Sequence, residues 1–307
     1  MFWEEGMKIG LVGVGKIGLE ISKHLIAAGH EVSGYRRASM VEFEKAGGRP
    51  ASSPAAVGEQ ADVVFSCLPG GGTALDEVVS GPQGLLRSAR AGQLIVELGS
   101  HGVAAKERQI APLAAKGAIF IDGEVSGTPG MVAARKAPIY LAGDADACQK
   151  LEPIVKTFAD ICLYLGSFGS ATKIKLVNNL LVTVNTAVIG EAVAVALEVG
   201  VDPEMMLKAI TNGSGGSVLF PIRATRMINN SYKPPQGKIG ELCHYFELID
   251  ELAATAGIKT PLFRLSTELF RRGVEIGLAE HDVAAIIEVI RHLSTDQTGK
   301  SKARLTA

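Results

Sequence analysis

Over positions 8–165, short apolar runs alternate with stretches in which apolar residues recur every three or four positions; beyond that point only the helical spacing persists. Apolar runs at 8–14, 31–35, 62–68, 93–98, 118–123, 138–143 and 161–165 predict strands, and helical patterns fall around 76–79, 103–115 and 144–158. Strands alternating with helices predict an α/β domain with a parallel, doubly wound sheet, spanning 7–166.

From 171 the pattern changes. No Pro or Gly interrupts it until Gly190, and straight-chain or small residues dominate, which predicts one continuous helix of about 30 residues and about 45 Å. Leu180, Leu181, Val184, Ala187, Val188, Ala192, Val195 and Ala196 put apolar residues on several faces, so this helix is expected to be buried almost all round, as a long central or interdomain helix. Asn178, Asn179, Asn185, Glu191 and Glu198 interrupt the apolar run and argue against a membrane span. Asp202-Pro203 opens a further helix, a glycine-serine turn occupies 213–217, 240–256 reads as an amphipathic helix, and Pro261 starts another through Arg272. A second domain over 167–295 is therefore expected to be all-helical, with 296–307 a loose polar tail.

At 307 residues, with 47% hydrophobic residues and 36 glycines, the chain can bury two cores, and disorder is excluded for most of it. A formal net charge of -1, spread along the sequence, makes no electrostatic case for nucleic acid or an anionic membrane surface; small molecules are the expected partners. Cys67, Cys148, Cys162 and Cys243 form no Cys-x-x-Cys pair and have no histidine cluster beside them, so neither a metal site nor a disulfide framework is expected. The acidic start, Met-Phe-Trp-Glu-Glu-Gly, does not read as a signal peptide, and a cytoplasmic location is expected.

Gly13-x-Gly15-x-x-Gly18 sits between the first strand and the helix on which Ile17, Ile21, Leu25 and Ile26 recur. In that context the first glycine permits a tight turn, the second lets a pyrophosphate approach the backbone, and the third lets helix pack on strand. The combination predicts a Rossmann-type dinucleotide site contacted by Gly13, Gly15, Lys16, Ile17 and Gly18. At the end of the second strand, where a carboxylate would accept from a ribose 2′-hydroxyl, stand Arg36 and Arg37, which suit a 2′-phosphate and so predict NADP(H). The loops at Leu68-Pro69, Gly99-Ser100-His101 and Val125-Ser126-Gly127-Thr128 follow strand ends and should line the cleft, with Leu68, Pro69 and Ser100 on the cofactor. His101, a lone loop histidine, reads as solvated.

On the long helix, about 100° of turn per residue places Lys175 on one face with Asn178 and Asn179, and Lys173 on the other side. The glycine motif, Val125-Ser126-Gly127 and Lys175-Leu-Val-Asn178-Asn179 make the chain resemble, over nearly its whole length, the β-hydroxyacid dehydrogenases, the family of 3-hydroxyisobutyrate dehydrogenase, tartronate semialdehyde reductase and glyoxylate/succinic semialdehyde reductase. The resemblance implies that Lys175 is the general acid/base, that Asn179 helps to hold it and the substrate, and that Ser126 and Gly127 bind the substrate carboxylate; Thr128, Asn178 and His244 are expected to border the substrate beside them. It also implies that Arg37 marks an NADP-using member and that the chain forms a homodimer or homotetramer. Departures accompany it: Glu124 stands where the family has proline, Thr128 where it has a second glycine, Gly99-Ser100 where it has serine-threonine, and His244 where a lysine faces the substrate carboxylate.

The expected activity is NADP-dependent interconversion of a small hydroxyacid or alcohol and its semialdehyde or carbonyl form. Glu124, extended two residues before Ser126, brings negative charge near the substrate, and the shared fold with this altered carboxylate site makes an imine reductase-like activity on a cationic substrate the alternative. A non-catalytic NADP-binding sensor or scaffold is the other.

Overall fold

The computed structural model describes residues 6–71 and 73–298. Residues 1–5, Gly72 and the expected tail beyond 298 lie outside the described residues. The chain divides into two compact units, Met1–Lys175 and Leu176–Ala307.

Along the first unit run β1 (Lys8–Val12), α1 (Lys16–Ala27), β2 (Glu31–Tyr35), α2 (Val41–Lys45), β3 (Arg49–Pro50), α3 (Pro54–Gln60), β4 (Val63–Ser66), α4 (Ala74–Ser80), β5 (Leu94–Glu97), α5 (Val103–Glu107), α6 (Ile110–Ala114), β6 (Ile119–Val125), α7 (Pro129–Ala133), β7 (Ile139–Ala142), α8 (Ala145–Phe158) and β8 (Cys162–Tyr164). Among the described residues the strands form one eight-stranded sheet in the order β3-β2-β1-β4-β5-β6-β7-β8, and the winding direction reverses between β1 and β4. Both faces are covered, so the inner strands are apolar throughout. Ile9, Leu11, Val63, Phe65, Leu94 and Val96 face the core shared with α1 and α8. Val12, Val64 and Ile95 face the opposite core with Val57, Leu75, Val79 and Leu113 from α3, α4 and α6. This two-sided burial explains why runs without alternation marked these strands.

The sheet is not wholly parallel, contrary to the reading of the sequence: β7 pairs with β6 antiparallel, Val125 opposite Ile139. The five residues of α7 rise only about 7.5 Å, too short to carry the chain back along the seven residues, roughly 23 Å, of β6. The chain therefore re-enters the sheet at the end where it left, and Ser126 N donates to Pro138 O at 2.8 Å. The helix expected over 103–115 is two short ones, separated by a tightened turn in which Gln109 N donates to Lys106 O. Helices α3 and α7 were not expected, yet each opens on a capping hydroxyl followed by proline: Ser53 accepts from Ala56 N at 3.1 Å and Thr128 from Met131 N at 3.4 Å.

Helix α9 (Ser170–Glu198) begins in the first unit and continues into the second, where α10 (Pro203–Thr211), α11 (Leu219–Ile228), α12 (Ile239–Cys243), α13 (Phe246–Thr255), α14 (Pro261–Glu275) and α15 (Ile286–Thr298) follow. In the second core Phe246 meets Phe263 edge-on at 5.8 Å and lies near Phe270. Leu176, Ala187, Ile189 and Val193 of α9 join this core. Three expectations change here. The helix expected over 240–256 is interrupted at His244-Tyr245, where Tyr245 N bonds Leu242 O three residues back. The tail expected from 296 starts no earlier than 299, because α15 runs through Thr298.

The third concerns α9, which is not buried all round: Ile174, Val177, Leu181, Val188 and Val195 form a stripe 46–64% exposed. By length and composition α9 would also suffice to cross a bilayer, so the polar residues along it do not by themselves separate the two cases. Its packing into the second core accounts for one face only.

Gly13 adopts φ +93°, and a Cβ there would lie 2.3 Å from the Cys67 carbonyl oxygen on β4's far end. Gly13→Ala is accordingly expected to cost more than about 1 kcal/mol in denaturant unfolding, through strain at positive φ and the clash together. An unchanged midpoint would show that the turn relaxes freely.

Candidate active site

The glycine turn after β1 has the geometry that a dinucleotide requires. Gly13 makes the tight turn, and its N–H donates to Tyr35 O at 2.8 Å. Beside Gly15 nothing lies within 4 Å of where a Cβ would stand, which leaves the backbone open to a pyrophosphate, while at Gly18 a Cβ would meet the Gly13 carbonyl at 2.3 Å, so only glycine lets α1 sit this close to β1. The N-cap of α1, Gly15, supplies no side chain to its first N–H groups. Lys16 is exposed and Ile17 half-buried at this helix start. Leu68 and Pro69 follow β4, the neighbour across the switch point, where ligands of such sheets bind.

The two arginines have different surroundings. Arg36 is half-buried and its Nη1 donates to Val14 O at 2.8 Å, so it braces the glycine turn. Arg37 is exposed, with Glu77 of α4 3.7 Å away.

Lys175 is brought to the end of β6 by the way α9 begins. Asp122 of β6 accepts from Thr172 N at 3.1 Å and from the Thr172 hydroxyl at 2.6 Å, capping the first turn of the helix with a carboxylate. One turn on, Lys175 is only 7% exposed and its Nζ donates to Val125 O at 3.0 Å, immediately before Ser126. Lys173 is exposed, as the helical register requires. Burial pushes the Lys175 ammonium below its ordinary value, and the charge of Glu124 opposes that.

Behind Lys175 lies a buried ionic cluster that the sequence reading missed. Lys106 of α5, wholly buried, donates to Asp122 Oδ1 at 2.9 Å, Gly123 O at 3.0 Å and Glu124 Oε1 at 3.2 Å. Burial acts to lower its pKa, but the carboxylates of Glu124, Asp122 and Glu97 outweigh it and hold the ammonium above its ordinary value. Two acidic residues inside an apolar strand, Asp122 and Glu124, were the signal that a buried cation had to face them. Glu124 is raised by burial against the pull of Lys106 and Lys175. Its Oε2 accepts from Ser100 Oγ at 2.7 Å. Glu124 is thus occupied within the protein and without solvent exposure.

His101, read as solvated, is buried, with Nε2 3.7 Å from Glu97 Oε1. Burial and Lys106 lower its pKa to about 4, so it is neutral near pH 7. Burial raises Glu97 to about 7, although Lys106 and the Gly99 N–H, which donates to it at 2.6 Å, pull the other way.

The remaining expected residues fall into two groups. In the first unit, Ser100, Ser126, Gly127 and Thr128 gather at the ends of β5 and β6 near Lys175, but the Ser100 hydroxyl is given to Glu124 and the Thr128 hydroxyl caps α7. In the second unit, Asn179 is buried and Asn178 half-buried, one turn beyond Lys175 on the same helix. His244 ends α12 and is exposed, and Lys238 at the start of α12 pairs with Glu280 at 2.5 Å.

A glycine turn at the switch point of a Rossmann-type unit, followed by an all-helical unit, defines a dinucleotide-binding protein. Residues 8–166 match the family described as the NAD binding domain of 6-phosphogluconate dehydrogenase, and 169–290 that described as NAD-binding of NADP-dependent 3-hydroxyisobutyrate dehydrogenase. The chain belongs to the 3-hydroxyisobutyrate dehydrogenase-like family of NAD(P)-binding oxidoreductases. It is 26% identical to 2-(hydroxymethyl)glutarate dehydrogenase of Eubacterium barkeri, over 93% of this chain and 95% of that one. It is 27% identical to L-threonate dehydrogenase of Cupriavidus necator, over 92% and 95%. Its fold is shared with Mycobacterium tuberculosis 3-hydroxyisobutyrate dehydrogenase, whose structure includes L-serine, at a TM-score of 0.82, 23% identity and coverage of 93% and 99%. The imine reductase from Myxococcus stipitatus shares it at a TM-score of 0.59, 16% identity and coverage of 92% and 99%.

Glu97 carries a consequence for stability. Its folded pKa of about 7 lies above the ordinary 4.5, so between these values the folded state binds more protons than the unfolded one, and stability falls as pH rises through that window. Glu97→Gln, which retains an acceptor for Gly99 N–H, is expected to gain on the wild type progressively from pH 5 to pH 8 in denaturant midpoints, by up to about 3 kcal/mol. A difference that does not change with pH would show that Glu97 is ionised in the fold throughout.

Proposed function

We propose that the protein is an NADP-preferring oxidoreductase that interconverts a small hydroxyacid or alcohol and its semialdehyde or other carbonyl form, with Lys175 as general acid/base. The observation that carries this reading is the position of Lys175: buried, tethered to Val125 O, and adjacent to Ser126 at the carboxyl end of a sheet strand. The glycine cradle fits a dinucleotide, with Gly15 and the start of α1 receiving the pyrophosphate and Arg37 its 2′-phosphate.

When bound, a nicotinamide dinucleotide supplies or takes up the hydride. During reduction, negative charge gathers on the substrate carbonyl oxygen and the Lys175 ammonium gives it a proton; during oxidation the neutral amine removes the hydroxyl proton. A lysine whose pKa is lowered by burial releases and regains that proton more readily near neutral pH. The Val125 carbonyl holds Nζ in place, Asn179 is assigned to the substrate one turn further along α9, and the Ser126 hydroxyl to its carboxylate.

The names of the relatives, dehydrogenases of 2-(hydroxymethyl)glutarate, L-threonate and 3-hydroxyisobutyrate, support a hydroxyacid substrate. His244, in the place of a family lysine, points away from the shortest β-hydroxyacids, and Lys238 is already paired with Glu280. The exposed apolar stripe on α9 supports a homodimer or homotetramer.

Lys175→Ala is expected to retain dinucleotide binding and lose roughly 10²- to 10⁴-fold in turnover, while Lys173→Ala changes turnover little. Steady-state assays of small semialdehydes and hydroxyacids by NADPH absorbance check this, and equal losses in the two variants would refute the role of Lys175. Arg37→Ala is expected to weaken NADPH binding by about one to two orders of magnitude and to leave NADH nearly unchanged, since a charge-assisted contact is worth about 1.5 to 3 kcal/mol. Titration of the unsubstituted protein giving equal affinities for both cofactors would rule out the preference.

A further inference from the structure

Glu124 is the point where three segments around Lys175 are joined. Its Oε2 accepts from Ser100 in the loop after β5 at 2.7 Å, and its Oε1 faces Lys106 of α5 at 3.2 Å and the Thr172 hydroxyl of α9 at 3.3 Å. The next residue in β6, Val125, carries the carbonyl that receives Lys175 Nζ. Two of these groups are held by others as well, Lys106 by Asp122 and Gly123 and Thr172 by Asp122, and the carboxylate itself is without solvent exposure. A carboxylate fixed on this many sides cannot swing toward a substrate. It can act only through the lysine beside it.

We propose that Glu124 is a positioning residue for Lys175, fixing the place of its ammonium through β6 and the first turn of α9 and supplying its buried counter-charge. The inference rests on the acid/base role proposed for Lys175. The charged and titratable groups described on the surrounding elements of the first unit include Glu124 and Asp122 from β6, Lys106 from α5, Glu97 and His101 at the end of β5, and the Cys67 thiol after β4, which burial pushes up to about 12, while Lys173 on α9 itself is exposed. Of these, Asp122 is paired with Lys106 and engaged by Thr172, and His101 is neutral near pH 7. The charge of Glu124 acts on Lys175 and opposes the effect of burial. Without it, the effect of burial is opposed less and the ammonium gives up its proton at lower pH.

The test is Glu124→Gln, which keeps the shape and the acceptor for Ser100 but removes the charge. Lysine labelled with ¹³C at Cε is titrated by NMR in the full-length protein, the Lys175 resonance being the one absent from Lys175→Arg. Its midpoint is expected to fall by about one pH unit or more in Glu124→Gln. In parallel, the pH above which kcat/KM for carbonyl reduction declines should move down by a similar amount. A midpoint unchanged in Glu124→Gln, with turnover lowered at all pH values alike, would overturn the proposal and leave Glu124 a structural residue. Glu124→Asp retains the charge and serves where Glu124→Gln does not fold: its midpoint should stay within about half a unit of wild type even where kcat falls. A midpoint in Glu124→Asp lower by a full unit would overturn the counter-charge. Should Lys175→Ala keep full turnover, the acid/base role fails by itself, while the NMR midpoint still decides the link between Glu124 and Lys175.

Discussion

The contact on which the rest of the first unit depends is the bond between Lys106 and the carboxylates of Asp122 and Glu124, made entirely out of water. An isolated ion so placed would cost several kcal/mol, and here each is tolerated because the others satisfy it with short, directed bonds. The same atoms that neutralise Lys106 also receive the first turn of α9, so a need for charge balance in the core determines where the long helix starts. From that start Lys175 follows by helical geometry, one turn beyond Thr172 and against the carbonyl that ends β6.

The change at position 124 is understood in the same terms. At position 124 a carboxylate in a buried strand would by itself be an uncompensated charge, and Lys106, Ser100 and Thr172 together remove that cost. The carboxylate that the sequence reading placed near a substrate is satisfied inside the protein, and it acts on the electrostatics around Lys175.

The cofactor side of the unit depends on steric limits. Gly13 and Gly18 stand where a Cβ would strike a backbone oxygen at 2.3 Å, and Gly15 where it would strike nothing, so the three glycines serve three different ends. Arg36 adds to this by bonding Val14 O, which leaves Arg37 as the guanidinium turned outward. Two adjacent residues of one type, read alike in the sequence, have separate surroundings because alternate positions leaving a strand point to opposite sides.

What was legible in the sequence was local. The glycine turn, the strand runs buried on both faces, the helical second half and the opposition of Lys173 and Lys175 all follow from spacing within a few residues, where backbone geometry leaves little choice. The antiparallel β7, the burial of His101, the capture of Ser100 and Thr128, and the open stripe on α9 depend on partners far along the chain. A lysine on a short amphipathic helix carries no local mark that distinguishes a solvated surface from a core, and Asp122 and Glu124 could announce only that some cation was required. The sequence by itself determined the fold class, the dinucleotide turn and the register that singles out Lys175. Only the tertiary structure decided which cation meets the buried acids and what charge stands beside that lysine, because electrostatic free energy depends on distances between residues that no sequence spacing specifies.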